Sequence, residues 1–167
     1  RSTNCFGSLQ VNCPLMCWGV MSKIKSTPPN PWPALWQRAQ QENFHLIGVD
    51  EAGRGPLFGP VVAGAVYLGQ DASLWEGTLE GLACSKTLSE KKRETLDKAI
   101  RQYAPACAVA ECTSHEIDRI NILQASLLAM HRAVEQVIQM ANLDPTRCWI
   151  LVDGNRSPQW PYQSTPV

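Results

Sequence analysis

The sequence predicts one α/β domain, a mixed sheet flanked by helices. Three observations carry that expectation. Short apolar runs at residues 44–50, 60–68 and 148–155 read as buried strands, each followed closely by glycine. Two stretches with helical periodicity, 89–103 and 121–141, lie between the second and last of these runs. The resulting order is strand, strand, helix, strand, helix, strand, once the weaker run at 106–112 is included. That order lets the last strand return parallel to the first through a right-handed crossover.

The elements follow in turn. Residues 1–20 lack an opening methionine and read as lying upstream of the domain, and STPPNPWP (26–33) reads as a proline-rich linker. A non-globular extension is therefore expected over 1–35, with the folded domain over 36–167 starting near Trp36. FHLIGVD (44–50) reads as a buried strand stopped by a glycine-rich turn. PVVAGAVYL (60–68) is a second, β-branched strand interrupted by small Gly64 and Ala65. Two strands this close in sequence form an antiparallel hairpin.

SEKKRETLDKAIRQY (89–103) reads as a helix with Ser89 as its N-cap and Leu96, Ala99, Ile100 and Tyr103 on one face. ACAVAEC (106–112) alternates weakly, as a third strand. Ser114 with Asp118 starts a further helical region, and residues 121–141 form a long amphipathic helix. Its stripe holds Ile122, Leu127, Met130, Val134, Val137 and Ile138. His131 on that helix reads as a surface or core histidine, not a catalytic one. CWILVDGN (148–155) is the last buried strand, stopped by Asp-Gly.

Composition narrows the function. With 167 residues, the chain can build one real core. Fifteen basic and fifteen acidic residues balance, so there is no overall polycation signature, although a local basic stripe suffices for nucleic acid. Such a stripe exists between residues 86 and 101, where Lys86, Lys91, Lys92, Arg93, Lys98 and Arg101 outnumber Glu90, Glu94 and Asp97. A solvated helix face explains it equally well. No run approaches the ~18 apolar residues of a membrane span, so no membrane association is expected. The seven cysteines lack zinc-finger spacing and read as reduced thiols of a cytoplasmic protein.

GVDEAGRGP (48–56) concentrates the chemistry. Asp50 and Glu51 stand side by side at the end of an apolar run, and the predicted crossover brings Asp153 to the same sheet edge. Strand alternation sends Asp50 and Glu51 to opposite faces, but at a strand's last residues the backbone can turn both inward. Two unit charges about 4 Å apart repel by roughly 4 kcal/mol at an effective dielectric near 20. Protonation, a basic neighbour or a hard divalent cation relieves this, and oxygen-only ligands select Mg²⁺ or Mn²⁺. Ligands of open α/β sheets bind at such carboxyl ends.

Gly53-Arg54-Gly55 fits no dinucleotide fingerprint, because Phe58 stands where the third glycine belongs, and it lacks a Walker loop's Gly-Lys-Ser/Thr ending. Its glycines suit close backbone approach to a sugar-phosphate, with Arg54 meeting phosphate and peptide groups reading a ribose 2′-OH. An ordinary hairpin turn with an exposed arginine is the alternative.

GVDEAGRGP, SKTLSEKKRE, HEIDRINILQASLLAMHRAV and ILVDGN, in this order and spacing, resemble type 2 ribonuclease H (ribonuclease HII) over roughly residues 44–157. The resemblance implies a ribonuclease H-like mixed sheet. It also implies endonucleolytic hydrolysis of the RNA strand of RNA–DNA hybrids, and incision at ribonucleotides embedded in duplex DNA. Mn²⁺ or Mg²⁺ would assist, leaving 3′-OH and 5′-phosphate ends.

By motif match Asp50, Glu51 and Asp153 are the catalytic, metal-binding carboxylates. Gly53, Arg54 and Gly55 read the ribonucleotide, and Ser85 and Lys86 lie against the substrate backbone. The family pattern continues past the D-G-N strand with a fourth aspartate and a tyrosine that have no counterpart here. Residues 157–167 are expected to supply no such strand and helix, so the domain is expected to be incomplete at its C-terminal end. A monomer is expected. A catalytically impaired hybrid-binding fragment, the sister type 3 ribonuclease H and a nucleotide-cofactor-binding protein are the other readings; Phe58 disfavours the last.

Overall fold

Helix α1 (Trp32–Gln41) leads into the hairpin of β1 (His45–Ala52) and β2 (Val61–Tyr67). Then come α2 (Glu90–Tyr103), β3 (Ala106–Cys112), α3 (Ser114–Met140), a 3₁₀ turn at Pro145–Arg147, β4 (Cys148–Val152) and β5 (Gln163–Pro166). This is a computed structural model, and it describes residues 32–52, 59–71, 88–152 and 163–166. The sheet has five strands in the order β3-β2-β1-β4-β5. β1–β2 and β2–β3 pair antiparallel, whereas β4 lies parallel to both β1 and β5. The predicted mixed sheet and crossover are present.

Two elements fall where none was expected. α1 begins at Trp32, inside the segment read as linker. Pro33 sits in its first turn, where a missing N–H breaks no helical bond. β5 forms within residues 157–167, which were expected to supply no strand. Its parallel register with β4 runs from Trp149↔Gln163 to Val152↔Pro166. Pro166 is tolerated there because an edge strand need not donate on its outer side.

Every residue of β2 is buried, because helices cover both faces of the sheet. On one face Ile47, Val49, Val61, Ala63, Ala65, Ile150 and Val152 pack under α3. Three fully buried alanines at spacing four, Ala125, Ala129 and Ala133, let that helix approach closely. On the other face Leu46, Val66, Leu68 and Leu151 meet Leu96 and Ile100 of α2 and Ala39 of α1. Ser89 caps α2 as predicted, its Oγ accepting from the Lys92 N–H at 3.3 Å. Tyr103, expected on the apolar face, is 45% exposed because it ends the helix.

α3 starts at Ser114, and Asn121 divides it where the two helical regions were expected to meet. Thr113 is its N-cap and forms a capping box with Glu116. Asn121 then breaks the helix with φ 68° and ψ 162°. Arg132 Nη2 nevertheless lies 2.6 Å from Glu116 Oε1, across sixteen residues. On a straight helix sixteen residues span about 24 Å. The segment before Asn121 therefore turns back alongside the one after it. Met130, Val134, Val137 and Ile138 are buried as predicted, but Ile122 is 37% exposed, being the first residue after the break.

Candidate active site

β1 does not stop at Asp50. It continues through Glu51 to Ala52, with pairs Asp50↔Gly64, Glu51↔Ala63 and Ala52↔Val62. Both acids are therefore strand residues, and the pleat sends their Cβ atoms to opposite faces. Glu51 follows Ile47 and Val49 on the α3 side, and Asp50 follows Leu46 and Gly48 on the α2 side. Both are half-buried. Asp50 Oδ1 accepts from the Glu51 N–H at 2.7 Å, which holds that carboxylate against its own strand.

The parallel register pairs Val49 with Val152, so β1 and β4 end at one edge of the sheet. Val61 pairs with Cys112, which brings the start of β2 and the end of β3 to the same edge. The first turn of α3 therefore starts there as well. The expected convergence of strand ends is thus formed for β1 and β4. Asp153, Gly53, Arg54, Gly55, Ser85 and Lys86 lie outside the described residues.

Sequence reasoning passed over the floor beside Asp50. Gly64 is its direct cross-strand partner and Gly48 precedes it by two, so both glycines share its face. Gly48 is half-buried although it lies in the middle of the central strand, between Ile47 and Val49 at 0% exposure. The available signal was a lone glycine inside a β-branched strand.

Among the described residues no group of three or more His, Cys, Asp or Glu side chains is gathered to hold a metal. The donors at the edge, Asp50 and Glu51, are hard oxygen ligands. That chemistry fits a cation such as Mg²⁺ or Mn²⁺, with water completing its shell, better than a thiolate-seeking ion. Cys112 and Cys148 are buried free thiols and Cys107 is a half-buried one; burial pushes all three upward in pKa.

Glu116, in the first turn of α3 and 2.6 Å from Arg132, starts from this same edge, whereas the His45 imidazole lies away from the acids. His45 pairs with Cys148 where β1 and β4 begin, at the far edge. Its Nδ1 is 2.8 Å from Tyr67 Oη, and burial, helped by Arg147, lowers its pKa. His131 Nδ1 lies 3.7 Å from Glu135 Oε2 on the same helix. Of the basic stripe, Lys91, Lys92 and Lys98 are exposed on α2, the helix covering Asp50's face. Arg101 is tied to Asp97 at 2.9 Å, and half-buried Arg93 donates to the Leu88 carbonyl at 3.2 Å.

The fold is ribonuclease H-like. It is similar to ribonuclease H2 from Pyrococcus horikoshii OT3, with a TM-score of 0.54 at 25% identity over 74% of this chain and 61% of that one. It is also similar to Bst-RNase HIII in complex with Mn²⁺, with a TM-score of 0.52 at 25% identity over 78% and 42% of the two chains.

Within that class, the family model described as Ribonuclease HII matches residues 47–165, and the chain belongs to the ribonuclease HII family. It is 45% identical to the Ribonuclease HII of Francisella tularensis subsp. novicida (strain U112) over 122 residues, 73% of this chain and 60% of that protein. Identity to the Ribonuclease HII of Chromohalobacter salexigens is 53% over 113 residues, 68% of this chain and 51% of that protein. The chain thus spans between half and about three fifths of the length of these relatives.

Proposed function

We propose that this chain carries a ribonuclease H active site that hydrolyses the RNA strand of RNA–DNA hybrids and incises at ribonucleotides embedded in duplex DNA. The observation that carries this reading is the ribonuclease HII match over residues 47–165, a span that includes positions 50–55, 85–86 and 153. The shared carboxyl edge of β1 and β4 supports it, because Asp153 directly follows Val152, the parallel partner of Val49.

In this reading Asp50, Glu51 and Asp153 would hold Mn²⁺ or Mg²⁺. A bound divalent ion supplies the charge that activates water and stabilises the departing 3′ oxygen. The peptide groups of Gly53 and Gly55 approach the ribose and read its 2′-OH, a group DNA lacks. Arg54 pairs with phosphate, and Ser85 and Lys86 lie against the substrate backbone. Cleavage leaves 3′-OH and 5′-phosphate ends.

A DNA duplex carrying one ribonucleotide, incubated with Mn²⁺, Mg²⁺ or chelator, tests the reading. Metal-dependent incision at the ribonucleotide is expected, and Asp50→Asn should abolish both incision and calorimetric Mn²⁺ binding. Removing one of several like charges should leave the metal-free Asp50→Asn protein at least as heat-stable as the parent. Tight hybrid binding without incision in either metal would refute the nuclease reading and leave a hybrid-binding fragment.

A further inference from the structure

We propose that the outward ridge of α2, carried by Lys91 and Lys98, is a docking surface for the phosphate backbone of a nucleic-acid duplex. The substrate is then held from the α2 side of the sheet, whatever its base sequence. The inference rests on the nuclease reading above and goes beyond it by assigning the side from which the duplex is gripped.

Charge is divided unevenly between the two helical layers. α2 carries five basic residues to three acids, whereas the longer α3 carries two to three. All three lysines among the described residues, Lys91, Lys92 and Lys98, lie on α2, and all are exposed. The arginines of that helix are engaged elsewhere. Arg93 is half-buried and donates to the Leu88 carbonyl, and Arg101 is held by Asp97 at 2.9 Å. Lys91 and Lys98 enter no ion pair among the described residues.

Helical spacing sorts these groups. Lys91, Thr95, Lys98 and Gln102 form an exposed stripe opposite buried Leu96 and Ile100. The stripe holds two cations and no acid. Glu90, Glu94, Asp97 and Arg101 share the neighbouring flank, and Glu90 stands in the first turn, where a helix favours a carboxylate. The two lysines are about 10 Å apart along the helix axis. That separation lets them meet different phosphates, which one strand places about 3.4 Å apart along the duplex axis.

Topology sets the ridge beside the acids. α2 ends at the far edge, where Ala106 opens β3 opposite Tyr67, so its first turn points back toward the edge that carries Asp50. Its length of about 21 Å nearly matches the ~23 Å of a seven-residue strand. Lys86, read above as a substrate contact, stands five residues before Lys91, at most about 18 Å away along an extended chain. A duplex that meets Lys86 is therefore within reach of the ridge. On the opposite side, exposed Glu111 and Asp118 flank the start of α3 and repel a phosphate backbone.

A Lys91→Gln/Lys98→Gln double variant of the 167-residue chain tests this against Arg119→Gln, which removes an exposed charge near the start of α3. The probe is a fluorescent all-DNA duplex, which offers no ribonucleotide to incise, titrated in Mn²⁺ over a series of salt concentrations. The double variant should bind about tenfold more weakly at low salt, and its slope of log affinity against log salt should fall by about 2. Arg119→Gln should bind like the parent, and all three proteins should share one Tm, since every altered side chain is exposed. Parental affinity and slope in the double variant would overturn the proposal, as would an equal loss per charge in Arg119→Gln. Incision of a ribonucleotide-containing duplex by the parent keeps the two readings apart. If the parent incises while the double variant keeps the parental slope, only the docking surface falls. If the parent binds without incising and the double variant loses that binding, the surface stands and the nuclease reading falls. A parent that binds no duplex overturns both.

Discussion

Replacing Asn121 by glycine or by alanine should move stability in opposite directions. Its φ of 68° and ψ of 162° lie in a region that is essentially reserved for glycine. Holding another residue there costs about 1–3 kcal/mol. Against that cost, Asn121 Oδ1 accepts from the N–H groups of Leu123 and Gln124, both at 3.1 Å, and so caps the helix segment that follows. Losing such a cap to alanine costs about 0.5–2 kcal/mol, but only a few tenths when glycine takes its place.

Asn121→Gly should therefore stabilise by about 1–2 kcal/mol, while Asn121→Ala keeps the strain, loses the cap and destabilises by about 1–2 kcal/mol. The side chain is exposed, so no core contact blurs the comparison. At roughly 2–4 °C per kcal/mol for a chain of this size, the two variants should melt about 4–16 °C apart, on either side of the parent. Calorimetric scans of the three proteins measure this, with urea m-values confirming a common unfolding transition. If both substitutions lower Tm equally, no strain is stored at position 121 and the cap alone holds the break.

Two further outcomes are expected. The guanidinium of Arg132, followed by the Thr113 backbone and hydroxyl, lowers the Glu116 carboxyl from 4.5 to about 2. A depressed carboxylate contributes stability that is present above its unfolded pKa and fades as pH falls through the folded one. Urea midpoints should thus decline from pH 4.5 towards 2 more steeply in the parent than in Glu116→Gln, and equal slopes would contradict the assignment. Burial pushes the Cys148 thiol up to about 11, and its Sγ donates to the Asp144 carbonyl at 3.3 Å. Mass mapping after iodoacetamide at pH 8 should find Cys148 modified only on unfolding, and rapid native labelling would refute its burial.

Strands and helices with strong periodicity were legible in the sequence: β1, β2, α2, β4 and the helix after Asn121 all lie where apolar spacing put them. Even Asn121 marked a boundary between two helical regions before its backbone was known. What escaped depends on tertiary context. β5 contains Gln163, Ser164, Thr165 and Pro166, a run with no apolar alternation, and it is a strand because β4 offers it a parallel partner. The extension of β1 past Asp50 has the same cause, since pairing with Val62 and Ala63 outweighs the preference of acids for strand ends. At the edge, the two adjacent carboxylates were readable as a motif. Their departure to opposite faces required the register, because a strand end and a strand interior aim consecutive side chains differently.

The central place of β1 sets a timetable for making the protein. Its neighbour on one flank, β2, follows within a short turn, but its neighbour on the other, β4, begins at Cys148, the partner of His45. At about 5–20 residues per second, synthesis of the intervening hundred or so residues leaves that flank unpaired for roughly 5–20 s. A local hairpin can close in microseconds, whereas the parallel pairing must wait for about a hundred further residues. In that interval the nascent chain presents a β-branched strand with one open ladder, which makes the hairpin a natural client for a chaperone.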